Sequence, residues 1–375
     1  MRYFMQYLKT ENVHLVKDMG MIPYLLHKNY GYDSTVVTYK HGDYSYLENE
    51  VKGLKIDFVK RIFNSYSLDG ALYLFKHSKN IDMLQIFHTT LSSIVYTYVY
   101  KLRNKKGKIY LKLDCSHKLV DRIKGLNKIQ FYFLNKFFGK IDLISVEQQE
   151  LFPILQDILK DHRDKMINIP NGIDFEELER NDLKYDFSQK ENVILNVARI
   201  GTEVKDTPTL LEAFANMEDI ENSDWKLKLI GTIEEDFKPY IDEYFKRYPK
   251  LIDKVQFLGP IVDRKLLYKE YGKAKIFCLT SQFESFGIAF IEAAAMGDVI
   301  VSTDVGIARE LVNKDNGMLV QPGDTKALTE AFMKYTRDVN VEKCADETYN
   351  LCRDRFDWNK IIQNLNESIA IIMKS

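Results

Sequence analysis

The sequence predicts an α/β chain of two Rossmann-like, doubly wound domains facing one another across a cleft. Three observations carry this. The chain has 375 residues, more than one compact core usually supports. Short β-branched or aromatic runs alternate with longer amphipathic stretches, the pattern of a parallel sheet covered on both faces. A Pro170-Asn171-Gly172 turn interrupts that alternation near the middle, and the alternation then restarts.

In the first half, strands are expected over residues 3–8, 34–39, 55–59, 83–87, 109–113 and 143–146. Helical patterns lie between them at 21–29, 68–77, 92–102 and 119–138. After the turn at 169–174 come strand 192–197, helix 207–215 and strands 227–230 and 254–257. Helix 264–271, strand 276–279, helix 288–296 and strand 299–302 continue the series, and a helix around 358–373 ends the chain. The expected division is a first domain at 1–168, a second at 169–354 and a terminal segment at 355–375. Open sheets of this kind bind ligands at the carboxyl ends of their strands.

Composition narrows the classes. With 45% hydrophobic and 29% charged residues, the chain is globular rather than disordered. No run of about 18 apolar residues occurs, so no transmembrane helix is expected. The opening MRYFMQYLKTENVH lacks the apolar core and cleavage site of a signal peptide. Cys115, Cys278, Cys344 and Cys352 are scattered, which suits reduced thiols in a cytoplasmic protein.

The net charge of −1 hides an asymmetry: residues 1–170 hold 26 Lys or Arg against 17 Asp or Glu, the remainder 27 against 37. A basic half suits an anionic membrane surface, at the inner face of the membrane, or a phosphate-linked acceptor. A solvated lysine-rich surface has the same composition. The same two readings apply to the basic run 101–108 and to 118–140, where Phe131, Tyr132, Phe133, Phe137 and Phe138 lie beside Lys128, Lys136 and Lys140: a membrane-resting face, or a core helix with a basic solvent side. Nucleic acid fits poorly, since the isoelectric point is about 6.7 and no recognition motif is present.

The chemistry concentrates in residues 278–306. An apolar strand ends at Leu279, a polar loop with Glu284 and Gly287 follows, and an alanine-rich helix begins near Ile288. A helix N-terminus offers unpaired N–H groups and a positive dipole end to a phosphate, and glycine permits close backbone approach. Glu292 is the one charge in the segment 288–297. Its carboxylate can accept two hydrogen bonds from a vicinal diol such as a ribose. A buried lone carboxylate needs a partner; a surface glutamate would not.

Glu284, Ser285-Phe286-Gly287 and Glu292-Ala293-Ala294 resemble the E-x7-E motif of the retaining glycosyltransferase family 4, whose fold is GT-B. Further stretches are similar to that family. Pro170-Asn171-Gly172-Ile173-Asp174 resembles its hinge, and Val197-Ala198-Arg199 with Lys205 and Leu210–Phe214 resembles its diphosphate site and following helix. Leu229-Ile230-Gly231, Phe257-Leu258-Gly259, Asp304-Val305-Gly306 and Gly317–Val320 fall in matching places. Phe356-Asp357-Trp358 resembles the start of a terminal helix that packs back on the first domain. The likeness covers the second half; the first half matches only in its alternation and in a loop around Gly20. Ala198, Asp206, Val299, Ile307 and Arg309 depart from the family's usual glycines and prolines and leave donor identity open.

The resemblance implies a retaining transfer of a sugar from a nucleoside-diphosphate sugar, a UDP-sugar first among them. The hydroxyl acceptor would be a glycan, glycolipid or glycoprotein in the making of a bacterial-type surface polysaccharide. Arg199 and Lys205 would neutralise the donor diphosphate, Glu284 would hold the donor sugar and Glu292 the ribose. The backbone of Phe286, Gly287 and Ile288, with Ser285, would meet phosphates or sugar hydroxyls. Gly20 resembles the glycine loop that approaches the donor and reaction centre, or is an ordinary turn. Asp114 ends strand 109–113 near a point where the family often has a histidine; it orients an acceptor hydroxyl, or is a helix cap or structural ion pair. His88, ending strand 83–87, is a site residue or a structural histidine. No cofactor or metal is expected, because no D-x-D pair follows an apolar strand and all seven histidines precede residue 163. A nucleotide-sugar epimerase on the same fold, or a non-catalytic partner subunit that kept it, are the alternatives.

Overall fold

A computed structural model of the protein describes residues 1–113, 116–337 and 340–374. The chain divides into two units: Met1–Gly172 together with the residues from Asn359 onward, and Ile173–Trp358.

The first unit is built on seven strands: β1 (Arg2–Gln6), β2 (Asp33–Thr38), β3 (Lys55–Phe58), β4 (Met83–Phe87), β5 (Lys108–Leu113), β6 (Leu143–Val146) and β7 (Met166–Asn168). Their order is β3-β2-β1-β4-β5-β6-β7 and every pairing is parallel. Central β4 and β6 are buried along their whole length, as strands covered on both faces must be. Edge strand β3 keeps Lys55, Asp57 and Phe58 exposed, a charged edge that resists further pairing. The order reverses between β1 and β4, the point where an open parallel sheet leaves room for a ligand.

Two local expectations change. The helix expected over 119–138 is two helices, His117–Lys124 and Lys128–Phe138. Asn127 starts the second: its side chain accepts from the N–H groups of Ile129 and Gln130 at 3.0 and 2.9 Å, while Gln130 accepts from the Asn127 N–H at 3.0 Å. This reciprocal cap, just beyond Gly125, outweighs a continuous helix. The short strand β7, before the turn, was not expected. The terminal helix runs Trp358–Lys374, and from Asn359 it belongs to the first unit. There Asn29 donates to Asn359 at 3.0 Å and Tyr32 to Asn366 at 2.7 Å.

The second unit holds β8 (Glu191–Val197), β9 (Lys226–Ile230), β10 (Val255–Gly259), β11 (Ala274–Phe277), β12 (Val299–Thr303) and β13 (Gly317–Val320). The order is β10-β9-β8-β11-β12-β13, again all parallel. Alternation along the strands builds two cores. Ile194, Ile276, Val299 and Val301 pack on one face; Val193, Leu195, Phe277 and Ile300 pack on the other. Period two along each strand therefore feeds both faces of the sheet. At the strands' amino ends the buried Lys190 and Asp298 pair at 2.6 Å, fastening the approach to β8 to that of β12. The strand reversal, between β8 and β11, lies at the opposite ends.

Candidate active site

The loops leaving β8 and β11 bring two of the expected residues together. Lys205 lies in a turn after β8, and its ammonium pairs with the carboxylate of Glu284 in the loop after β11. The Ser281 hydroxyl donates to the same Glu284 oxygen at 2.7 Å. The Lys205 turn is held from across the loop, where Thr280 Oγ1 donates to the carbonyls of Lys205 and Asp206 at 3.0 and 2.9 Å. Asp206 has φ 45°, a left-handed conformation that aspartate tolerates better than most residues. Its carboxylate then caps helix Thr207–Ala215 through Thr209 and accepts from Gln282 at 2.7 Å. An aspartate thus fills a position suited to glycine and gains two partners by it.

Gly287 opens helix Ile288–Ala295 with φ 85°. A side chain there would be strained and would meet the Phe290 ring at 2.8 Å. Gly306, in the loop after β12, packs so closely that a Cβ would lie 2.4 Å from the Phe286 carbonyl oxygen and 2.9 Å from Glu284 Cβ. The Ile307 N–H donates to that carbonyl at 2.8 Å. The Glu284 loop is therefore backed by a second loop. Ser285 is exposed and Ile288 half-buried, whereas the Phe286 side chain is buried in the core, so any ligand contact of Phe286 falls to its backbone.

Glu292 is buried and has the partners its position demands. Tyr271 donates its phenol proton to one carboxylate oxygen at 3.2 Å, and the Arg264 guanidinium lies 3.3 Å from the other. Burial, with Glu292 beside it, holds the Tyr271 hydroxyl well above its ordinary range, so it remains a donor. Neither partner was singled out in the sequence. The available signal was their spacing of seven on helix Arg264–Lys273, which puts both on one face. Arg199, at the end of β8, is mostly exposed and forks onto Glu234 at 2.6 and 3.2 Å. Close approach of the turns after β8 and β9 requires Gly231, where a Cβ would lie 1.8 Å from the Ala198 oxygen. Arg199 thus contacts a different carboxylate from Lys205. Among the described residues no three His, Cys, Asp or Glu converge as a metal site would require.

In the first unit Gly20 lies within helix Asp18–Tyr30 and not in a loop. Its missing side chain has a packing reason, because a Cβ would sit 2.1 Å from the Leu15 carbonyl oxygen. His88, just past β4, has φ 57°, an uncommon backbone for a non-glycine residue and one that clusters at functional sites. Asp114 lies outside the described residues. Beside it in sequence, Lys112 on β5 is fully buried between Asp18 at 3.2 Å and Glu147 at 3.0 Å. Asn171, in the central turn, donates to the same Glu147 oxygen. This cluster was missed, although a lysine inside an apolar strand calls for a buried counter-charge.

Residues 178–350 match the family model described as glycosyl transferases group 1. Among curated proteins, the chain is 24% identical over 238 residues to the capsular polysaccharide biosynthesis glycosyltransferase CapM of Staphylococcus aureus, across 60% of each chain. It is 25% identical over 210 residues to a phosphatidyl-myo-inositol mannosyltransferase of Mycobacterium leprae, across 54% of each. The chain thus spans little more than half the length of these curated relatives. Among solved structures, Anabaena HepE in complex with UDP superposes with a TM-score of 0.74 at 17% identity, covering 99% of this chain and 100% of that one. Sucrose-phosphate synthase from Thermosynechococcus elongatus gives 0.71 at 16%, covering 100% of each. The two Rossmann-like units are those of the GT-B fold, and the match to the glycosyl transferases group 1 model takes in nearly the whole second unit.

Proposed function

We propose that the protein is a retaining glycosyltransferase that uses a nucleoside-diphosphate sugar, a UDP-sugar first, to glycosylate a hydroxyl of a surface glycan or glycolipid. The observation that carries the reading is the Lys205–Glu284 pair at the strand reversal of the second unit. A cation beside a half-buried carboxylate suits a donor whose diphosphate gains charge as its sugar is released. In this reading the diphosphate takes Lys205 from Glu284, and Glu284 turns to the sugar hydroxyls. Arg199, on its exposed fork, closes on the phosphates from the β8 side, and Glu292 holds the ribose. The names of the curated relatives support sugar transfer to a polysaccharide or glycolipid, and the UDP bound to HepE supports the donor class.

The acceptor hydroxyl attacks the anomeric carbon from the face the diphosphate leaves; the sugar–diphosphate bond breaks and the departing diphosphate oxygen takes the hydroxyl proton, so configuration is kept and no side chain serves as a dedicated base. His88 and Asp114 are the first-unit candidates for orienting that hydroxyl. Positive charge for the leaving group comes from Lys205 and Arg199, so a chelator should leave transfer unchanged. The test is ligand-detected NMR against UDP-, GDP- and ADP-sugars, followed by the products over time. Binding of one donor with slow hydrolysis to the sugar of retained configuration supports the reading. Release of an epimerised nucleotide sugar without acceptor would make the protein an epimerase, and absence of donor binding would make it a non-catalytic subunit.

A further inference from the structure

Helix Lys128–Phe138 has two apolar faces where a surface helix of a globular unit needs one. Phe137 and Phe138 are buried in the core of the first unit, with Phe131 and Leu134 packed against it. On the other side Ile129, Tyr132 and Phe133 are 70%, 56% and 66% exposed. Their spacing is i, i+3, i+4, so they form one stripe, and a contiguous exposed apolar stripe is a mark of an interaction surface. The helix is held firmly for display. Asn127 caps its start, and His162 bonds Asn135 at 2.5 Å near its end.

The charge around the stripe has one sign. Residues 117–140 contain six Lys or Arg and one acid, Asp121. Lys124, Lys128, Lys136 and Lys140 are exposed, and the Lys136 ammonium lies 5.3 Å from the centre of the Tyr132 ring. The other basic run, 101–108, is partly engaged inside the fold: Lys101 and Lys108 lie 2.6 and 3.9 Å from Asp142. An aromatic and aliphatic stripe rimmed by lysines matches an anionic lipid surface, with the rings entering the headgroup layer and the ammonium groups above it. A symmetric pairing with a second copy would set this basic rim against itself.

We infer that helix Lys128–Phe138 docks the protein on an anionic bilayer through Ile129, Tyr132 and Phe133. The helix has 11 residues, too few to span a bilayer, and one of its faces is held in the core of the first unit, so this contact lies in the plane of the surface. The inference deepens the proposed function, since a lipid-linked acceptor would be met there. Vesicle binding is measured without sugar transfer, so either reading can fail alone.

The test is co-sedimentation of the full chain with vesicles of phosphatidylcholine, alone or mixed with phosphatidylglycerol, at low and high salt. The expected result is binding to the anionic vesicles that weakens with salt and is near absent on phosphatidylcholine. The variant Ile129→Ser/Tyr132→Ser/Phe133→Ser should lower the partition at least about tenfold, with nucleotide affinity kept. Lys128→Gln and Lys136→Gln should each lower it about fivefold. No binding to anionic vesicles, or binding indifferent to all these substitutions, overturns the inference. So does a dimer in light scattering that the triple variant abolishes, which would make a second copy the occupant.

Discussion

Lys205 and Glu284 stand 79 residues apart in sequence and form one ion pair in the second unit. Each neutralises the other, and Ser281 adds a third hydrogen-bonding group to the carboxylate. In the proposed function a donor diphosphate competes for the lysine, and the separated carboxylate turns to sugar hydroxyls. Replacing Lys205 by Met should therefore slow transfer about 10²–10³-fold, the usual cost of one charge-stabilising donor, with a smaller change in donor affinity. Single-turnover kinetics beside calorimetric donor binding separates the two. A loss of affinity as large as the loss of rate would make Lys205 a ground-state anchor only.

Glu292 presents a different balance. Its two carboxylate oxygens already meet Tyr271 and Arg264, leaving lone pairs for a ribose diol. Glu292→Gln should weaken nucleoside-diphosphate binding about tenfold, in keeping with the loss of a charge-assisted hydrogen bond. The sharper readout is the ratio of affinities for the ribose and 2′-deoxyribose nucleotides. It should favour ribose in the parent and collapse toward one in the variant. An unchanged ratio would move the ribose away from Glu292.

In the first unit the buried Lys112 joins Asp18, at the start of helix Asp18–Tyr30, to Glu147, just past β6. Removing only the cation would leave two buried carboxylates facing each other, a loss of about 3–5 kcal/mol. Lys112→Met should thus lower stability by that order in urea unfolding. Adding Glu147→Gln should recover part of it, because one uncompensated charge is gone. A Lys112→Met protein as stable as the parent would show that water or rearrangement satisfies the carboxylates.

Much of this was legible in the sequence because it follows from periodicity. The strands at 83–87 and 143–146 stand where their apolar runs predicted, and the helix expected from 288 begins there, after the loop that carries Glu284. What periodicity omits is which distant element supplies a neighbour. Arg264 and Tyr271 serve Glu292 from another helix, and Glu234 meets Arg199 from the turn after β9. Local chemistry was misread at Gly125 and Asn127, where a stop and a cap in succession divide a seemingly continuous helix. Gly20 shows the converse limit: a glycine expected near chemistry also has a packing reason, the backbone of Leu15.

His162 ties the helix Lys128–Phe138 to the body of the first unit. Its ring lies 2.5 Å from the Asn135 side-chain oxygen and packs on Phe138 with ring centres 5.9 Å apart. Burial, helped by nearby Lys165, lowers its pKa below the ordinary histidine value. The folded state therefore binds this proton less readily than the unfolded chain does. The histidine's contribution to stability is complete above the free-histidine pKa, about 6.5, and is lost as pH falls through the lower folded value. The thermal midpoint should fall between neutral pH and pH about 5, and His162→Gln, which keeps a donor toward Asn135, should fall less over the same interval. Equal slopes in the parent and the variant would assign the acid sensitivity to other groups.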